Sequence, residues 1–391
     1  MTISASEKKV LLTATVQSHI CQFHKPLVEV LHEHVYEVHV AAHDNLAEKN
    51  GLMLDFADAV YDVPFARSPV APGNLRAYSE LRKILAERHF DLIVCNTPVG
   101  GILTRLAARS SRKRGTKVVY IAHGFHFYKG ASWKNWLLFF PLEKAMARLC
   151  DLVITINEED YRLAKEHFPC EVARIHGVGV RADRYHPVAA EERAEMRYRE
   201  GLGEEDFVVV CTGELNENKN QKTLISAASL LREKIPELKV LLAGNGPNEL
   251  ALREQIAAEH LEDTVRLLGY RTDLERVVPA ADAVASCSKR EGLPLNIVEA
   301  MLCRKPIAAS INRGHTELIQ DGKNGYLLEP EDVNGFADRI LRLRRDPALA
   351  KEMGDAGYAM AQAYTVRAVK QELCHILTEI RAISTEGTER E

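Results

Sequence analysis

No C-x-x-C pair occurs in this 391-residue chain, although it carries eight cysteines, at 21, 95, 150, 170, 211, 287, 303 and 374. Their isolation argues against a zinc ribbon or a thioredoxin-type site. Two of them end apolar runs, Leu92-Ile-Val-Cys95 and Val208-Val-Val-Cys211, and read as small buried hydrophobes. Scattered thiols in a chain of this length fit a reducing compartment. Charge of one sign is also missing. A net charge of -4 gives no electrostatic case for nucleic acid as a partner. Ser110-Ser-Arg-Lys-Arg-Gly115 is the longest basic cluster and reads as a solvated loop between a helix and a strand. No apolar run approaches the roughly 20 residues that span a bilayer, and Met1 to Lys9 lack the apolar core of a secretory signal. The expectation is a cytoplasmic protein, at most peripheral at the inner face of the cell membrane. Finally, Thr13-Ala-Thr-Val-Gln-Ser-His-Ile-Cys-Gln-Phe-His24, after the first apolar strand, holds no glycine. A dinucleotide-binding domain needs G-x-G-x-x-G there, for the tight turn and the pyrophosphate contact. That absence argues against a dehydrogenase.

What is present is an alternation of short apolar strands with longer helical segments. Strands are expected at 10–14, 37–42, 92–95, 117–122 and 152–156, with helical spacing between them, as in Leu75 to Phe90. Continuous apolar runs suit strands buried on both faces of a parallel sheet. The pattern restarts with Phe207-Val-Val-Val-Cys-Thr212 and continues at 239–244, 265–269, 283–286, 306–310 and 325–328. The fold class is therefore α/β, with two Rossmann-like doubly wound parallel-sheet domains facing a central cleft. A polar stretch from Gly177 to Asp206 separates them, its run Glu191-Glu-Arg-Ala-Glu reading as a short surface helix. The expected division is 1–190 for the first domain and 191–364 for the second. Residues 365–383 form a returning terminal helix and 384–391 a polar tail.

Ligands of such sheets bind at the carboxyl ends of strands. The sharpest segment there is Lys289-Arg-Glu-Gly-Leu-Pro-Leu-Asn-Ile-Val-Glu-Ala-Met301. It opens an apolar helix with Pro294 at the first helical position. Unpaired backbone N–H groups around Gly292, Leu293, Pro294 and Leu295, with the positive end of the helix dipole, suit a diphosphate. Glu291 before that helix and Glu299 within it can accept hydrogen bonds from different hydroxyls of one ligand. Gly213 permits a tight turn after its strand. Lys219, near the start of the next helix, is either a surface lysine or a point charge for a phosphate. Asn245 and Gly246 in Ala243-Gly-Asn-Gly-Pro247 form a turn that lets a ligand approach backbone. Tyr270 and Arg271 close another strand, either as a plain turn or as a partner for a base edge. Gly314 and Glu317 are further donor-side candidates. In the first half, His123 in Ala122-His-Gly-Phe-His-Phe-Tyr128 stands at a strand end, with His126 competing for its role, while Thr15 and His19 are acceptor-side candidates. The segment 133–143 concentrates both tryptophans; bilayer contact and packing on its own sheet fit it equally.

Together these residues resemble the retaining GT-B glycosyltransferases of family 4, across Lys8 to Ile383. The likeness rests most on the Glu-x7-Glu pair at 291 and 299. Beside it stand Gly213…Lys219-Asn220, Gly244-Asn-Gly-Pro247 and Glu317-Leu-Ile-Gln-Asp-Gly-Lys-Asn-Gly325. In the first half, "TATVQSHICQFH", "AHGFHFYKG" and "ITINEEDY" are similar to the subgroup that builds exopolysaccharide or capsule repeats. The resemblance implies a UDP-sugar co-substrate, with no cofactor and no metal. Glu299 would hold the ribose and Glu291 the transferred sugar. Lys219 and the amides at 293–295 would hold the diphosphate, and His123 would face the transferring sugar. The acceptor would be a polyprenyl-diphosphate-linked glycan, met at the membrane. Two features depart from the family pattern: Glu214 stands where many members place Arg, and the glycine pair after the first strand is missing. Rival readings are a UDP-sugar epimerase of the same fold and a non-catalytic subunit that binds nucleotide sugar.

Overall fold

The computed structural model describes residues 8–48, 51–69 and 71–383. The first seven residues and the tail 384–391 lie outside the described residues. Two compact units emerge. One runs to Gly179 and resumes at Val366; the other is Val180–Thr365. Residues 180–190, assigned from sequence to the first domain, thus cluster with the second.

The first unit is a seven-stranded parallel sheet in the order β3-β2-β1-β4-β5-β6-β7. Its elements in chain order are β1 (Lys8–Val16), α1 (Gln17–Phe23), α2 (Lys25–Glu33), β2 (Tyr36–His43), β3 (Ala59–Asp62), α3 (Gly73–Glu87) and β4 (Leu92–Asn96). Then come α4 (Pro98–Ala107), α5 (Arg109–Arg112), β5 (Lys117–Ala122), α6 (Trp133–Ala147), β6 (Leu152–Thr155), α7 (Glu158–His167) and β7 (Glu171–Arg174). Five strands stand where the apolar runs place them. The two edge strands were missed because their patterns differ: β3 alternates half-buried with exposed residues, and β7 is short and mostly polar. The basic cluster at 110–115 is not a plain loop. α5 occupies its first half, because Arg112 makes a forked ion pair with Asp151, at 2.8 Å for its shortest bond.

The second unit is a six-stranded parallel sheet in the order β10-β9-β8-β11-β12-β13. It begins with α8 (Ala190–Arg199), the expected surface helix, then β8 (Phe207–Thr212), α9 (Gln221–Leu231), β9 (Leu238–Ala243), α10 (Glu249–Ala258) and β10 (Val265–Gly269). There follow α11 (Leu274–Ala280), β11 (Ala283–Ser286), α12 (Leu295–Leu302), β12 (Ile307–Ser310), α13 (Arg313–Leu318), β13 (Tyr326–Leu328), α14 (Val333–Arg345) and α15 (Pro347–Ala361). β8 shows why its run is wholly apolar. Val209 and Cys211 enter one core with α9 and α14, whereas Val208 and Val210 enter the opposite core with α12. Side chains alternate across a strand, so a sheet covered on both faces asks every position to be apolar.

The chain then returns to the first unit as α16 (Val366–Glu379). It packs on α2, where Lys370 pairs with Glu29 and Glu33 at 3.0 and 2.7 Å. Glu372 accepts from the His176 backbone N–H at 2.9 Å. Both sheets reverse their strand order beside the first strand, between β1 and β4 and between β8 and β11. Loops part at such switch points and leave a crevice at the carboxyl ends.

Candidate active site

In the second unit, the loops leaving β8, β9 and β10 are stitched together by backbone. Gly213 N–H donates to Ala243, Leu215 N–H to Asn245 and Gly244 N–H to Gly269, at 2.8–2.9 Å. This approach needs glycine. A Cβ on Gly244 would stand 2.0 Å from the Gly213 oxygen, and one on Gly246 2.3 Å from that of Leu215. Lys219 lies in the turn before α9, two residues ahead of its first residue Gln221, rather than at the helix start itself. Its stem crosses Gly213, and its Nζ is 2.6 Å from Glu291 Oε1. This ion pair bridges the loop after β8 to the loop after β11, directly at the switch point. The same two loops are braced where Lys289 N–H donates to Asn218 at 2.7 Å and the Asn218 amide donates to Arg290 at 3.0 Å.

Pro294 is the N-cap of α12, one position earlier than its expected place. The first N–H groups of a helix have no intrahelical acceptor, so those around Leu295 remain for a ligand. Gly314, in the first turn of α13, holds this loop in place. A Cβ there would meet Glu291 Cβ at 2.7 Å, the Gly292 oxygen at 2.9 Å and Pro294 Cδ at 2.9 Å. Asn312 fixes α13 in turn: its side-chain oxygen accepts from the Gly314 and His315 N–H groups, and its amide donates to the Ser288 carbonyl. Glu317 lies further along the same helix.

Glu299 sits in the second turn of α12. Burial pushes its carboxyl up to about 7, opposed by a hydrogen bond from Tyr185 and by nearby Arg184. Tyr185 and Asn312 were not singled out from sequence. An Asn immediately before a short helix is a recognisable cap, but nothing in local pattern connects Tyr185 to a residue more than a hundred positions away.

The remaining donor-side candidates divide. Tyr270 and Asn245 are exposed beside the stitched loops. Arg271 is not a free cation: Glu200 and Asp273 each hold it at 2.7 Å, and these bonds raise its already high pKa further. It ties the end of β10 to the segment after α8. Glu214, at the family's arginine position, is exposed and accepts from the Asn216 amide at 2.9 Å, while Lys219 pairs with Glu291 instead. Lys222 lies 3.8 Å from Glu217.

In the first unit, Thr15 closes the corresponding switch point. Its hydroxyl is 2.7 Å from that of Thr97, and its N–H donates to the same oxygen at 3.0 Å. Thr97, ahead of α4, has φ +62°, a rare conformation for a β-branched residue and one that clusters at functional sites. The glycines missing from the first loop are supplied from across the crevice. A Cβ on Gly100 would lie 3.0 Å from Thr15 N, and one on Gly101 2.6 Å from the Tyr120 ring.

His123, after β5, meets His19 of α1 and His24, the joint between α1 and α2. Ring centroids lie 4.5 Å (His19–His123), 5.1 Å (His24–His123) and 5.3 Å (His19–His24) apart. Burial lowers all three pKa values, His19 to about 4 and the others well below the usual value, with mutual repulsion adding to the effect on His24 and His123. His24 was quoted in its run but not chosen. His126 does not join: it is exposed, and its ring packs on Phe139 of α6.

α6 packs one side on its own unit and leaves apolar side chains exposed on the other. Trp136 and Phe140 pack with Phe127, and buried Glu143 pairs at 2.8 Å with fully buried Arg105. On the other side Trp133, Leu137 and Leu138 are 70, 70 and 61% exposed. No helix among the described residues is long and apolar enough to cross a membrane.

Comparison with known proteins agrees with this architecture. Residues 26–179 match the Glycosyltransferase Family 4 description and residues 192–360 that of Glycosyl transferases group 1. The chain is 41% identical to the glycosyltransferase EpsD of Bacillus subtilis, over 97% of this chain and 98% of that protein. It is 26% identical to the UDP-Gal:alpha-D-GlcNAc-diphosphoundecaprenol alpha-1,3-galactosyltransferase of Escherichia coli, over 78% of this chain and 80% of that one. In fold it is similar to Anabaena HepE, solved with UDP, at a TM-score of 0.78 and 23% identity over 95% of this chain and 100% of the other. With both halves matched in order and one relative alike from end to end, the chain belongs to the family 4 glycosyltransferases of GT-B fold.

Proposed function

We propose that this glycosyltransferase moves a sugar from a UDP-sugar to a polyprenyl-diphosphate-linked glycan, retaining anomeric configuration, in exopolysaccharide or capsule synthesis. The observation that carries the reading is the Lys219–Glu291 ion pair beside the α12 amino terminus. A diphosphate there takes Lys219 and the free amides, which stabilise the charge that grows on the leaving group. Glu291 is released to grip the transferred sugar, and Glu299 takes the ribose hydroxyls. The departing phosphate accepts the acceptor's proton, so no separate base is required. The positive charge comes from Lys219 and the helix, without a metal on the diphosphate. Thr15, His19 and His123 serve the acceptor side.

The relatives support a donor and acceptor of this kind. The Escherichia coli enzyme is named for UDP-Gal and a diphosphoundecaprenol-linked GlcNAc, and HepE was solved with UDP. The outer face of α6, with Trp133, Leu137 and Leu138, suits the interface where a polyprenyl lipid resides. On this reading the protein works at the cytoplasmic face of the membrane, with nucleotide sugar and lipid-linked glycan as its partners.

The test is a thermal-shift screen of UDP-sugars, since a bound donor raises stability by mass action. It is followed by transfer to a polyprenyl-diphosphate glycan in the presence of a chelator, with the product anomer read by NMR. A retained linkage is expected. An inverted product or dependence on added magnesium or manganese refutes the mechanism. Epimer formed without acceptor supports the epimerase instead, and donor binding without any transfer supports a non-catalytic role.

A further inference from the structure

The three imidazoles of the first unit, two of them on the acceptor side of the proposed transfer, form a cluster that an acceptor-facing role alone does not account for. One ring nitrogen from each of His19, His24 and His123 lies within 4.8 Å of the others. The Nε2 atoms of all three are sealed from solvent and have no hydrogen-bond partner. His24 is 2% exposed. Buried polar atoms are nearly always paired, so three unpaired ring nitrogens in one place mark a site for something that binds nitrogen.

The backbone brings them together by a specific device. His19 and His24 are five residues apart, and on a continuous helix they would point about 140° from each other. The chain breaks at His24, which ends α1, donating its N–H to Ile20, and starts α2 with φ -117° and ψ 6°. That break re-aims His24 towards His19. His123 comes from a different element, the end of β5, and meets both.

We propose that His19, His24 and His123 form a binding site for one divalent transition-metal ion of the zinc class. Three imidazoles form the known three-ligand set that leaves a fourth position open for water or a substrate oxygen. Their surroundings keep the rings neutral, which preserves the lone pairs a metal takes and disfavours a bound anion. No carboxylate belongs to the set, so magnesium and calcium, which prefer oxygen, are poor occupants. The nitrogens lie within 4.8 Å of one another, and a tetrahedral zinc site would draw them in to roughly 3.3 Å. Phe23, packed against His19 and His123 at 5.0 and 5.7 Å, gives the site an apolar wall. The ion differs in place and purpose from any charge on the donor diphosphate. The inference rests on the histidine geometry and not on the transfer reading.

The test uses the full chain, stripped with a chelator and titrated with zinc alone, without sugar nucleotide. Calorimetry is expected to show one ion per chain. Cobalt in place of zinc is expected to give the visible bands of a low-coordinate site, and X-ray absorption a nitrogen-dominated shell. His24→Gln and His123→Gln are expected to weaken binding by at least about 100-fold, while His375→Gln on α16, an exposed control, leaves it unchanged. Circular dichroism shows whether each variant is folded; should His24→Gln unfold, His123→Gln and the wild-type stoichiometry still decide. If the wild type takes up no zinc, the cluster is three neutral rings around water and the proposal fails. Binding that survives both substitutions overturns it as well. Zinc uptake is read without sugar nucleotide and transfer by a separate assay, so the failure of one is told apart from the failure of the other.

Discussion

Replacing Glu299 with glutamine is expected to make the protein more stable and a poorer binder of UDP. The carboxyl is raised from its ordinary 4.5 to about 7 by burial. An acid with a raised folded-state value supports the fold only while it holds its proton. Its contribution is complete below 4.5 and is lost as pH rises through about 7. At 1.36 kcal/mol per pH unit, with solvent screening at a half-buried site, ionisation at pH 8 costs on the order of 1–3 kcal/mol. Glutamine removes that cost and keeps an oxygen to accept from Tyr185. For a unit of this size, the gain corresponds to about 2–10 °C in Tm at pH 8, shrinking towards zero at pH 4. The ligand side moves oppositely. Charge-assisted hydrogen bonds contribute about 1.5–3 kcal/mol, so UDP affinity is expected to fall roughly 10- to 100-fold. Wild-type affinity should also strengthen as pH rises through about 7, a trend the variant lacks. Scanning fluorimetry at pH 4 and pH 8, with UDP calorimetry across the same range, measures both effects. A Glu299→Gln protein that is less stable at pH 8, or that binds UDP as tightly as the wild type, refutes the reasoning.

Lys219→Ala is expected to weaken UDP binding by about 10- to 100-fold, since it removes a charge-assisted contact and leaves Glu291 unpaired. Uridine affinity should be unchanged, and an equal loss for both ligands would place Lys219 away from the phosphates. Gly314→Ala is expected to lower UDP affinity at least about tenfold and to lower Tm, because its Cβ displaces the loop at Glu291 and Pro294; calorimetry showing wild-type affinity would contradict this. Glu143→Ala is expected to destabilise the first unit by about 3–5 kcal/mol in denaturant titration, because Arg105 is left charged and buried. A loss below about 1 kcal/mol would mean that the pair is not held as described. Combined Trp133→Ala, Leu137→Ala and Leu138→Ala substitution is expected to abolish co-sedimentation with anionic lipid vesicles while Tm holds; unchanged vesicle binding would remove α6 from the membrane.

The inner strands of the second unit were legible because each is a short run covered on both faces, where apolar content alone identifies it. Its edge strands β10 and β13 still carry apolar runs, whereas β3 alternates half-buried with exposed residues and β7 is half polar, and these two escaped for that reason. Loops were read by composition, which finds candidates but not partners. Composition could suggest Lys219 and Glu291 separately; only the fold brings atoms 72 positions apart to 2.6 Å. The same limit hid Tyr185 beside Glu299 and His24 beside His123. It also left the partners of Arg271 unseen. A strand-end arginine looks available to a ligand until Glu200 and Asp273 are seen to hold it. The missing glycines were read correctly from the first loop, but their function was met by Gly100 and Gly101, some eighty residues on.

The two switch points explain why the units should bind different things, although their strand orders match. In the first unit the crevice beside β1 is closed by neutral groups, the hydroxyls of Thr15 and Thr97, with Gly100 packed against the backbone. Such a junction is already satisfied and carries no net charge, so a diphosphate would gain nothing by displacing it. In the second unit the crevice beside β8 is bridged by Lys219 and Glu291. That pair is only partly buried, and exchange of its carboxylate for a phosphate keeps the lysine paired while the α12 amides gain an acceptor. The same exchange frees a carboxylate next to the bound phosphates, where a sugar's hydroxyls would lie. On the proposed reading, the charge that holds these two loops together is also the charge that receives the donor, and this is why Lys219 and Glu291 have to be tested together.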